Sequence, residues 1–531
     1  MSNLDQVALL LIILVPLAGA GLSMLLPRNR PEDAWYFAIF VSAITLVLSV
    51  LLFVRYDFEA GGYQFVRVYE WLDAPLNIDL YLAMDGIAAP LVLLNGIVLF
   101  GAVLISQTIK HRSRDFFVLL LALGSGVFGV FVVQDLFFLF FFYELAVLPM
   151  YLLIGVWGSS TYFDSDRQRL WGLPIRFDLG SYNRLKEYGA MKLMLVLVAG
   201  SVLIWVGILA MYVASGQVAE ATFSLVDLGA LSSAGEFSPA FQTWVFPLFM
   251  IGFGVLAGLW PFHTWSPDGH VAAPTGVSML HAGVLMKLGA FGIIRVGMVL
   301  LPEGAQDPLF YAGDFGVSWM AILIIMGTVN VVYGAISAMS QRDLKYIIGY
   351  SSVSHMGYVI MGIATLHPVG LTGAVLQMFS HGIMTALMFA MVGAIYERTH
   401  IRDITVLNGL MKRMGFASFF FAIAGLASLG LPGLSGFVAE FMVFTGAFKT
   451  YLPLAVLAVV GAALTAIYIL RLLARTFFGE ADPRWEHLTD ASPVEKTVGG
   501  AFVLILLFVG VWPAPFTRVI NVGVESVLQL F

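Results

Sequence analysis

Residues 115–134 read DFFVLLLALGSGVFGVFVVQ, and residues 136–156 continue with LFFLFFFYELAVLPMYLLIGV. Each run is about 20 residues long, which is the length that crosses the hydrocarbon core of a bilayer as one α-helix. The charged side chains in these two runs are Asp115 and Glu144. Because backbone polar groups inside lipid must be satisfied within the segment itself, both runs predict transmembrane helices.

The same pattern recurs along the chain, whose 531 residues are 60% hydrophobic and 11% charged. Ordinary soluble domains have about 25% charged residues. Two long runs contain Pro261 and Pro432, which predict broken helices that line a protein-enclosed cavity. The sequence therefore predicts an all-α polytopic membrane protein with about fourteen spans, near 7–26, 35–54, 87–106, 115–134, 136–156, 190–213, 240–263, 271–299, 316–339, 346–365, 367–395, 416–448, 451–474 and 496–516.

The lysine and arginine residues are distributed unevenly among the loops. Nineteen lie in loops that follow odd-numbered spans, and four lie in the remaining loops and the tail. By the positive-inside rule, the odd loops are cytoplasmic and both termini lie outside. In the largest outside segment, 55–85, the alternating stretch 63–71 predicts a small β-hairpin. The largest inside segment, 158–188, is charged and is predicted to lie over the membrane face.

Composition also excludes several kinds of chemistry. The absence of cysteine excludes Fe–S clusters, thiol catalysis and c-type haem in this chain. The net charge of −6 is thinly spread and indicates no nucleic-acid partner. Acidic residues that a membrane transferase would need for a metal are too scattered, at Asp164, Asp166 and Asp268. Histidines in or near the spans have spacings that match no metal-ligand pattern; they are His263, His270, His281, His355 and His381.

Ionisable side chains inside the apolar spans are the candidate functional residues. A charge at the bilayer centre costs about 2.5–3.5 kcal/mol, so such residues need a reason to be there. Lys287 is the strongest single case, because a lysine in mid-span can reach neither surface. Any one of them could be a structural hydrogen-bonding group, but together they predict a proton relay. The candidates are Glu144, Lys192, His281, Lys287, His355, His381 and Glu440.

Specific strings add a family resemblance. Residues 341–357 read QRDLKYIIGYSSVSHMG, and residues 260–270 read WPFHTWSPDGH, followed by APT at 273–275 and AGVLMK at 282–287. These strings resemble the signature of the antiporter-like subunits of complex I, the proton-translocating NADH:quinone oxidoreductase. The resemblance extends from about residue 85 to residue 480.

Two further strings resemble one member of that family, the M-type subunit. They are YEL…PMY over residues 143–151 and LPGLSGFVAEF over residues 431–441, in which Glu440 favours the M-type over the L-type and N-type relatives. The resemblance implies a proton-translocating subunit in the bacterial inner membrane. It also implies a relay through Glu144, Lys287, His355, His381 and Glu440.

The resemblance implies an architecture as well. The family has two five-helix repeats, spans 4–8 and 9–13, with the seventh and twelfth spans broken. An offset of five spans is odd, so the second repeat is expected to be inverted relative to the first. The expected units are an N-terminal region at 1–114, a first repeat at 115–300, a second repeat at 310–476, and a C-terminal loop and helix at 477–531.

Partners and cofactors follow from the same resemblance. Redox chemistry is expected in other membrane and peripheral subunits of a respiratory complex, with no cofactor in this chain and related antiporter-like subunits on its flanks. Membrane lipids are the remaining expected partners. The alternatives are a subunit of a multisubunit cation/proton antiporter or of a membrane-bound hydrogenase, which share the signature. A haem-bearing membrane enzyme is an alternative of a different class.

The chain departs from the family at one position. The family places a lysine five residues before the proline of span seven, where this chain has Leu256. Glu144 therefore lacks the partner that the family implies. We expect Lys192, in the span that follows Glu144, to take over the pairing, and Leu256 to keep the break in span seven locally dry. The alternative is that Lys192 anchors its helix at the cytoplasmic interface and that Glu144 is a neutral, protonated relay group.

Overall fold

The computed structural model describes residues 3–74, 76–163, 182–184, 186–313 and 315–531. Its α-helices are α1 Asn3–Ser23, α2 Pro31–Arg55, α3 Ala88–Ile105, α4 Ser113–Val132, α5 Leu136–Trp157, α6 Lys186–Val218, α7 Leu225–Ser233, α8 Pro239–Ala257, α9 Trp265–Ala272, α10 Thr275–Leu280, α11 Met286–Gly292, α12 Pro302–Gln306, α13 Trp319–Ser340, α14 Leu344–Ala364, α15 Pro368–Thr399, α16 Gly415–Ser428, α17 Ser435–Thr450, α18 Leu452–Thr476, α19 Pro493–Val511 and α20 Ala514–Leu528. The strands are β1 Gln64–Leu72, β2 Ile78–Met84, β3 Thr161–Phe163, β4 Tyr182–Arg184, β5 Phe310–Ala312 and β6 Phe315–Val317.

These helices confirm the predicted polytopic fold. Among the described residues, 12 helical segments are long and apolar enough to cross a membrane. The shorter apolar helix α1 and the α16–α17 pair complete the fourteen predicted spans. The last predicted span, 496–516, is too long by five residues, because Pro513 starts a separate helix, α20, that packs against α3 and α15.

The two five-helix repeats are visible in the packing. In the first repeat α4 packs against α5 and α11, and in the second α13 packs in the same way against α14 and α18. The pairs α5–α6 and α6–α8 likewise correspond to α14–α15 and α15–α17. Matching helices are five spans apart, so they cross the membrane in opposite directions, as in other inverted-repeat transport proteins.

The helices at the junction of the repeats are buried on all sides. The central parts of the spans 275–298 and 368–399 are enclosed entirely by protein, and that of α14 is almost so, whereas α2, α6 and α18 expose one face. A helix that is apolar all round belongs in the interior of a bundle. The candidate residues Lys287, His355 and His381 lie on these enclosed helices.

The predicted hairpin is present, with different bounds. The alternating stretch 63–71 forms only one strand, β1, which pairs antiparallel with β2. The turn between the two strands lies after residue 72, near Asn77, whose φ of +51° is typical of a turn. Most of the predicted inside segment, 158–188, lies outside the described residues, and so do Asp164 and Asp166.

Candidate functional site

The break in span seven is held together by the second repeat. Helix α8 ends at Gly258, which has a φ of +76°. The side chain of Asn330 in α13 accepts a hydrogen bond from the Trp260 backbone N–H at 2.6 Å and donates one to the Gly258 carbonyl at 2.9 Å. Freed backbone groups of a broken membrane helix need such partners, and here one buried amide satisfies two of them just after the end of α8.

The break in span twelve makes room for a carboxylate. Gly430 and Gly433 have positive φ values of +74° and +92° between α16 and α17. A Cβ atom on Gly430 would lie 3.0 Å from Oε2 of Glu440. Glycine at this position therefore allows both the left-handed backbone and the close approach of the Glu440 side chain.

Lys287 lies at the centre of the molecule. The chain forms a π-helical turn over His281–Leu285 just before it, and such turns are frequent at functional sites. The Lys287 ammonium donates to the carbonyl of Ala282 within this turn. Its Nζ also lies 2.7 Å from Nδ1 of His381 in α15, so a fully buried lysine side chain is in direct hydrogen-bonding contact with an imidazole.

The contacts continue from His381 to Glu440. The ring centroids of His381 and His355 are 5.2 Å apart. Nδ1 of His355 lies 3.2 Å from Oε1 of Glu440, and its Nε2 lies 2.9 Å from the hydroxyl oxygen of Ser428. Four of the predicted residues, Lys287, His381, His355 and Glu440, thus form one continuous buried row.

Gln377 is part of this row and was not predicted. Its Nε2 lies 3.2 Å from Nδ1 of His355 and 3.4 Å from Oε1 of Glu440. His355 can therefore donate from Nδ1 to Glu440 in one tautomer and accept from Gln377 in the other. The spacing from Gln377 to His381 is one helical turn on the same face of α15, and this was the available signal.

His281 lies beside this row rather than in it. Its ring centroid lies 3.9 Å from that of His270, with the ring planes tilted by 36°, and the ring stacks on Trp265 at 5.2 Å between centroids. Within the part of the chain that the structure describes, neither ring nitrogen of either histidine has a hydrogen-bonding partner. His281 is thus in contact with an imidazole and an indole, six residues before Lys287 on the same span.

The expected pairing of Lys192 with Glu144 is wrong. Nζ of Lys192 lies 2.7 Å from Oδ2 of Asp268, and the Tyr346 hydroxyl donates to Oδ1 of the same carboxylate at 2.9 Å. The reason is geometric: α6 packs against α9, which carries Asp268, and the long lysine stem extends in that direction.

Glu144 is only half buried on α5, between the exposed Phe141 and Leu148. It makes no ion pair with any described residue. Leu256, where the family would have a lysine, is fully buried. In the first repeat, the contact between a base and an acid is therefore formed by Lys192 and Asp268, and Glu144 takes no part in it.

No metal centre emerges from this geometry. Among the described residues, no group of three or more His, Asp or Glu side chains is placed to hold a metal ion. His263, the remaining histidine of span seven, packs edge-on against Tyr333 at 5.0 Å between ring centroids. The site is thus a row of groups that can exchange protons, and the expectation of no cofactor remains a prediction.

Sequence comparison identifies the family. Residues 177–465 match the family described as NADH:quinone oxidoreductase/Mrp antiporter, transmembrane. The chain belongs to this family. It is similar along its length to NAD(P)H-quinone oxidoreductase chain 4 1 of Synechococcus sp. (strain JA-3-3Ab), with 36% identity over 97% of this chain and 92% of the relative. The chain 4 protein of Gloeobacter violaceus is 35% identical over 95% of this chain and 89% of its own length. These relatives confirm the M-type resemblance.

Solved structures agree with this assignment. A chain of respiratory complex I from Thermus thermophilus with bound NADH has a TM-score of 0.83 and 26% identity, covering 98% of this chain and 99% of that one. A chain of the Mrp complex from Dietzia sp. shares the fold, with a TM-score of 0.81 and 19% identity over 99% and 98% of the two chains. The two-repeat fold is therefore common to redox-linked and antiporter complexes.

Proposed function

We propose that this chain is a proton-translocating membrane subunit of an NAD(P)H–quinone oxidoreductase and moves protons through a relay of buried side chains and water. The observation that carries this proposal is the continuous row from Lys287 to Glu440, built inside a chain that resembles chain 4 proteins along its length. Buried ionisable residues of membrane proteins that contact one another in series are the usual construction of proton pathways.

The row supports a defined order of proton steps. The Lys287 ammonium can give a proton to Nδ1 of His381, with which it is in contact. His381 then passes a proton towards His355, and Nδ1 of His355 donates to Glu440. Each imidazole carries two nitrogens, so a proton can arrive at one and leave from the other. We place Glu440 at the outward end of this relay.

The chemistry of the row favours protons over sodium as the transported ion. Sodium and other hard cations bind several oxygen ligands at once. The central contacts here are a lysine with an imidazole and an imidazole with a carboxylate. These groups bind and release protons, and Lys287 in its protonated form would repel a metal ion.

The environment of the chain is proposed on the same basis. The uneven distribution of lysine and arginine supports both termini outside a bacterial inner membrane and the odd loops in the cytoplasm. The exposed apolar faces of α2, α6 and α18 are available for lipid and for neighbouring subunits. We take residues 115–300 and 310–476 as the two repeat units, flanked in the complex by related antiporter-like subunits.

The test uses the complex purified from native membranes through an affinity tag on this chain. The purified complex is reconstituted into sealed liposomes that contain a quinone, and NADH or NADPH oxidation is followed together with acidification of the lumen. We expect donor oxidation to drive acidification that an uncoupler abolishes. Co-purification with antiporter subunits and no donor oxidation would instead assign the chain to a cation/proton antiporter. A Soret band in the isolated subunit would indicate a haem enzyme.

A further inference from the structure

Asp268 is a buried carboxylate outside the row from Lys287 to Glu440. It lies in α9, directly after the break in span seven, and its side chain is only 6% exposed. It accepts hydrogen bonds from Lys192 in α6 and from the Tyr346 hydroxyl in α14. Helix α6 belongs to the first repeat and α14 to the second, so this one carboxylate connects ionisable groups of both repeats.

The surroundings of α9 are rich in positive charge. Nζ of Lys345 donates to the carbonyl of Ala273 at 2.7 Å, and Arg402 donates to the carbonyl of Val271 at 3.2 Å. These two buried cations lie at the C-terminal end of the helix, where backbone carbonyls favour them. A buried carboxylate needs a compensating cation; Lys192 is in direct contact with Asp268, whereas Arg402 is also paired with Asp343 at 3.0 Å.

The two sides of the Lys192–Asp268 contact differ in exposure. The Lys192 side chain is 23% exposed, whereas that of Asp268 is 6% exposed and in contact with the enclosed helix α14. His355 lies on α14, about two and a half turns beyond Tyr346. The lysine can thus be protonated from the surface, while the carboxylate faces the interior.

We propose that Asp268 is a proton-carrying residue through which the first repeat passes protons inward, in a chain where Leu256 replaces the lysine that would pair with Glu144. This inference rests on the proposed function. An N–H bond of the Lys192 ammonium breaks and an O–H bond forms on Oδ2 of Asp268, so both groups become neutral. Asp268 then releases this proton to internal water on the side of α14, and Lys192 takes one from water on the surface side. One proton has moved, and the ion pair is restored. The Tyr346 hydroxyl is a positioning group that holds the carboxylate.

The alternative is that Asp268 only neutralises Lys192. Two variants of the tagged complex in liposomes separate these roles. Asp268→Asn removes the proton carrier and leaves Lys192 unpaired, whereas Lys192→Met/Asp268→Asn removes both charges. For a proton carrier, proton translocation falls about tenfold or more in both variants. If the double variant regains the wild-type rate, Asp268 is only a counterion and the proposal is wrong. The double variant removes the Lys192–Asp268 ion pair as a unit and decides the question even if Asp268→Asn fails to assemble.

Two further variants control the measurement. Asp268→Glu keeps a titratable carboxyl group and is expected to retain a measurable part of the rate that Asp268→Asn loses. Asp115→Asn removes a partly exposed carboxylate that is paired with Arg112 and Arg114, and it should translocate protons at the wild-type rate. All rates are divided by the amount of assembled complex. If the wild-type complex does not acidify the liposomes, the proposed function itself fails; if it does and the double variant equals it, only the role of Asp268 fails.

Discussion

The two repeats share one helix packing but differ in how they place charge. In the second repeat, His355, His381 and Glu440 come from three successive spans and contact one another in series, with Lys287 joining at the junction. In the first repeat, the span-seven position that the family fills with lysine is the buried Leu256. The scaffold therefore does not need the charge in order to fold, and the buried charges are better explained by function than by stability.

A second difference lies at the start of matching helices. Asp135 caps the N-terminus of α5, and Asp343 caps that of α14, five spans later. Asp343 also pairs with Arg402 at 3.0 Å. Asp135 is buried and has no ion pair with any described residue. The capping aspartate of the second repeat is thus paired with an arginine, whereas among the described residues that of the first repeat has no cationic partner.

The largest effect is expected at Lys287, where the two repeats meet. Lys287→Met keeps the length of the side chain and removes the charge that contacts His381. Loss of a positioned proton donor costs about a hundredfold or more in rate, so proton translocation by the reconstituted complex should almost disappear. Thermal unfolding should be unchanged or shifted upwards, because replacing a buried charge by an apolar group is often stabilising.

Lys110→Met is the control for this variant. It removes a lysine whose side chain is 59% exposed, and it should leave translocation unchanged. If Lys287→Met translocates protons at the normal rate, Lys287 does not carry protons and the proposed pathway through this row is wrong.

The next effect is expected at Glu440, the outward end of the row. Glu440→Gln preserves the shape and the contact with Gln377 but removes the titratable group beside His355. Translocation is expected to fall about tenfold while the complex still assembles. Glu486→Gln, in which the carboxylate removed is 72% exposed, should match the wild type. A wild-type rate in Glu440→Gln would place the outward end of the pathway elsewhere.

The difference at position 256 can be tested by restoring the charge. Leu256→Lys places a lysine where the side chain is fully buried. Because Leu256 is enclosed by apolar neighbours on α8, we expect a loss of stability of about 3 kcal/mol, the cost of a charge at mid-membrane. Leu256→Met should cost less than about 1.5 kcal/mol. Thermal unfolding of the purified complex measures both.

Equal stability of the lysine and methionine variants would contradict this expectation. It would mean that Glu144 reaches the new lysine and that the first repeat can rebuild the pair by itself. In that case, adding Glu144→Gln to Leu256→Lys would leave the new lysine without its partner, and the stability should fall again.

The positions of the membrane spans and of the two broken helices can be predicted from the sequence alone. Runs of about 20 apolar residues locate a membrane helix directly, and Pro261 and Pro432 each lie at an observed break. The predicted hairpin at 63–71 covers only the first of its two strands, β1. Alternation of apolar and polar residues indicates a strand, but it does not locate the turn that follows.

The pairings within the site could not be predicted in the same way. Lys287 and His381 are far apart in sequence, and their contact depends on how α11 and α15 are rotated and packed. Lys192 was assigned the wrong partner because a long flexible side chain can reach acids on several neighbouring helices. The sequence assigns Asp268 no role beyond its place in the string at 260–270, since nothing in its position shows that two other helices direct a lysine and a tyrosine towards it.

The smallest expected effect concerns the unpaired cap Asp135 and its response to pH. Burial raises the pKa of Asp135 to about 7, although hydrogen bonds from the backbone N–H groups of Phe138 and Phe137 oppose the shift. In the unfolded chain this pKa is about 4. Between these values the folded protein binds more protons than the unfolded chain, so this group makes the protein less stable as the pH rises from about 4 to about 7.

Asp135→Asn keeps a good helix cap and stays neutral, so the variant should lose less stability over this window than the wild type. Thermal unfolding of the purified complex at several pH values provides the comparison, with Asp33→Asn as the control for removing one exposed carboxylate. If Asp135→Asn and the wild type have the same pH dependence, Asp135 is compensated after all, and the two caps are equivalent.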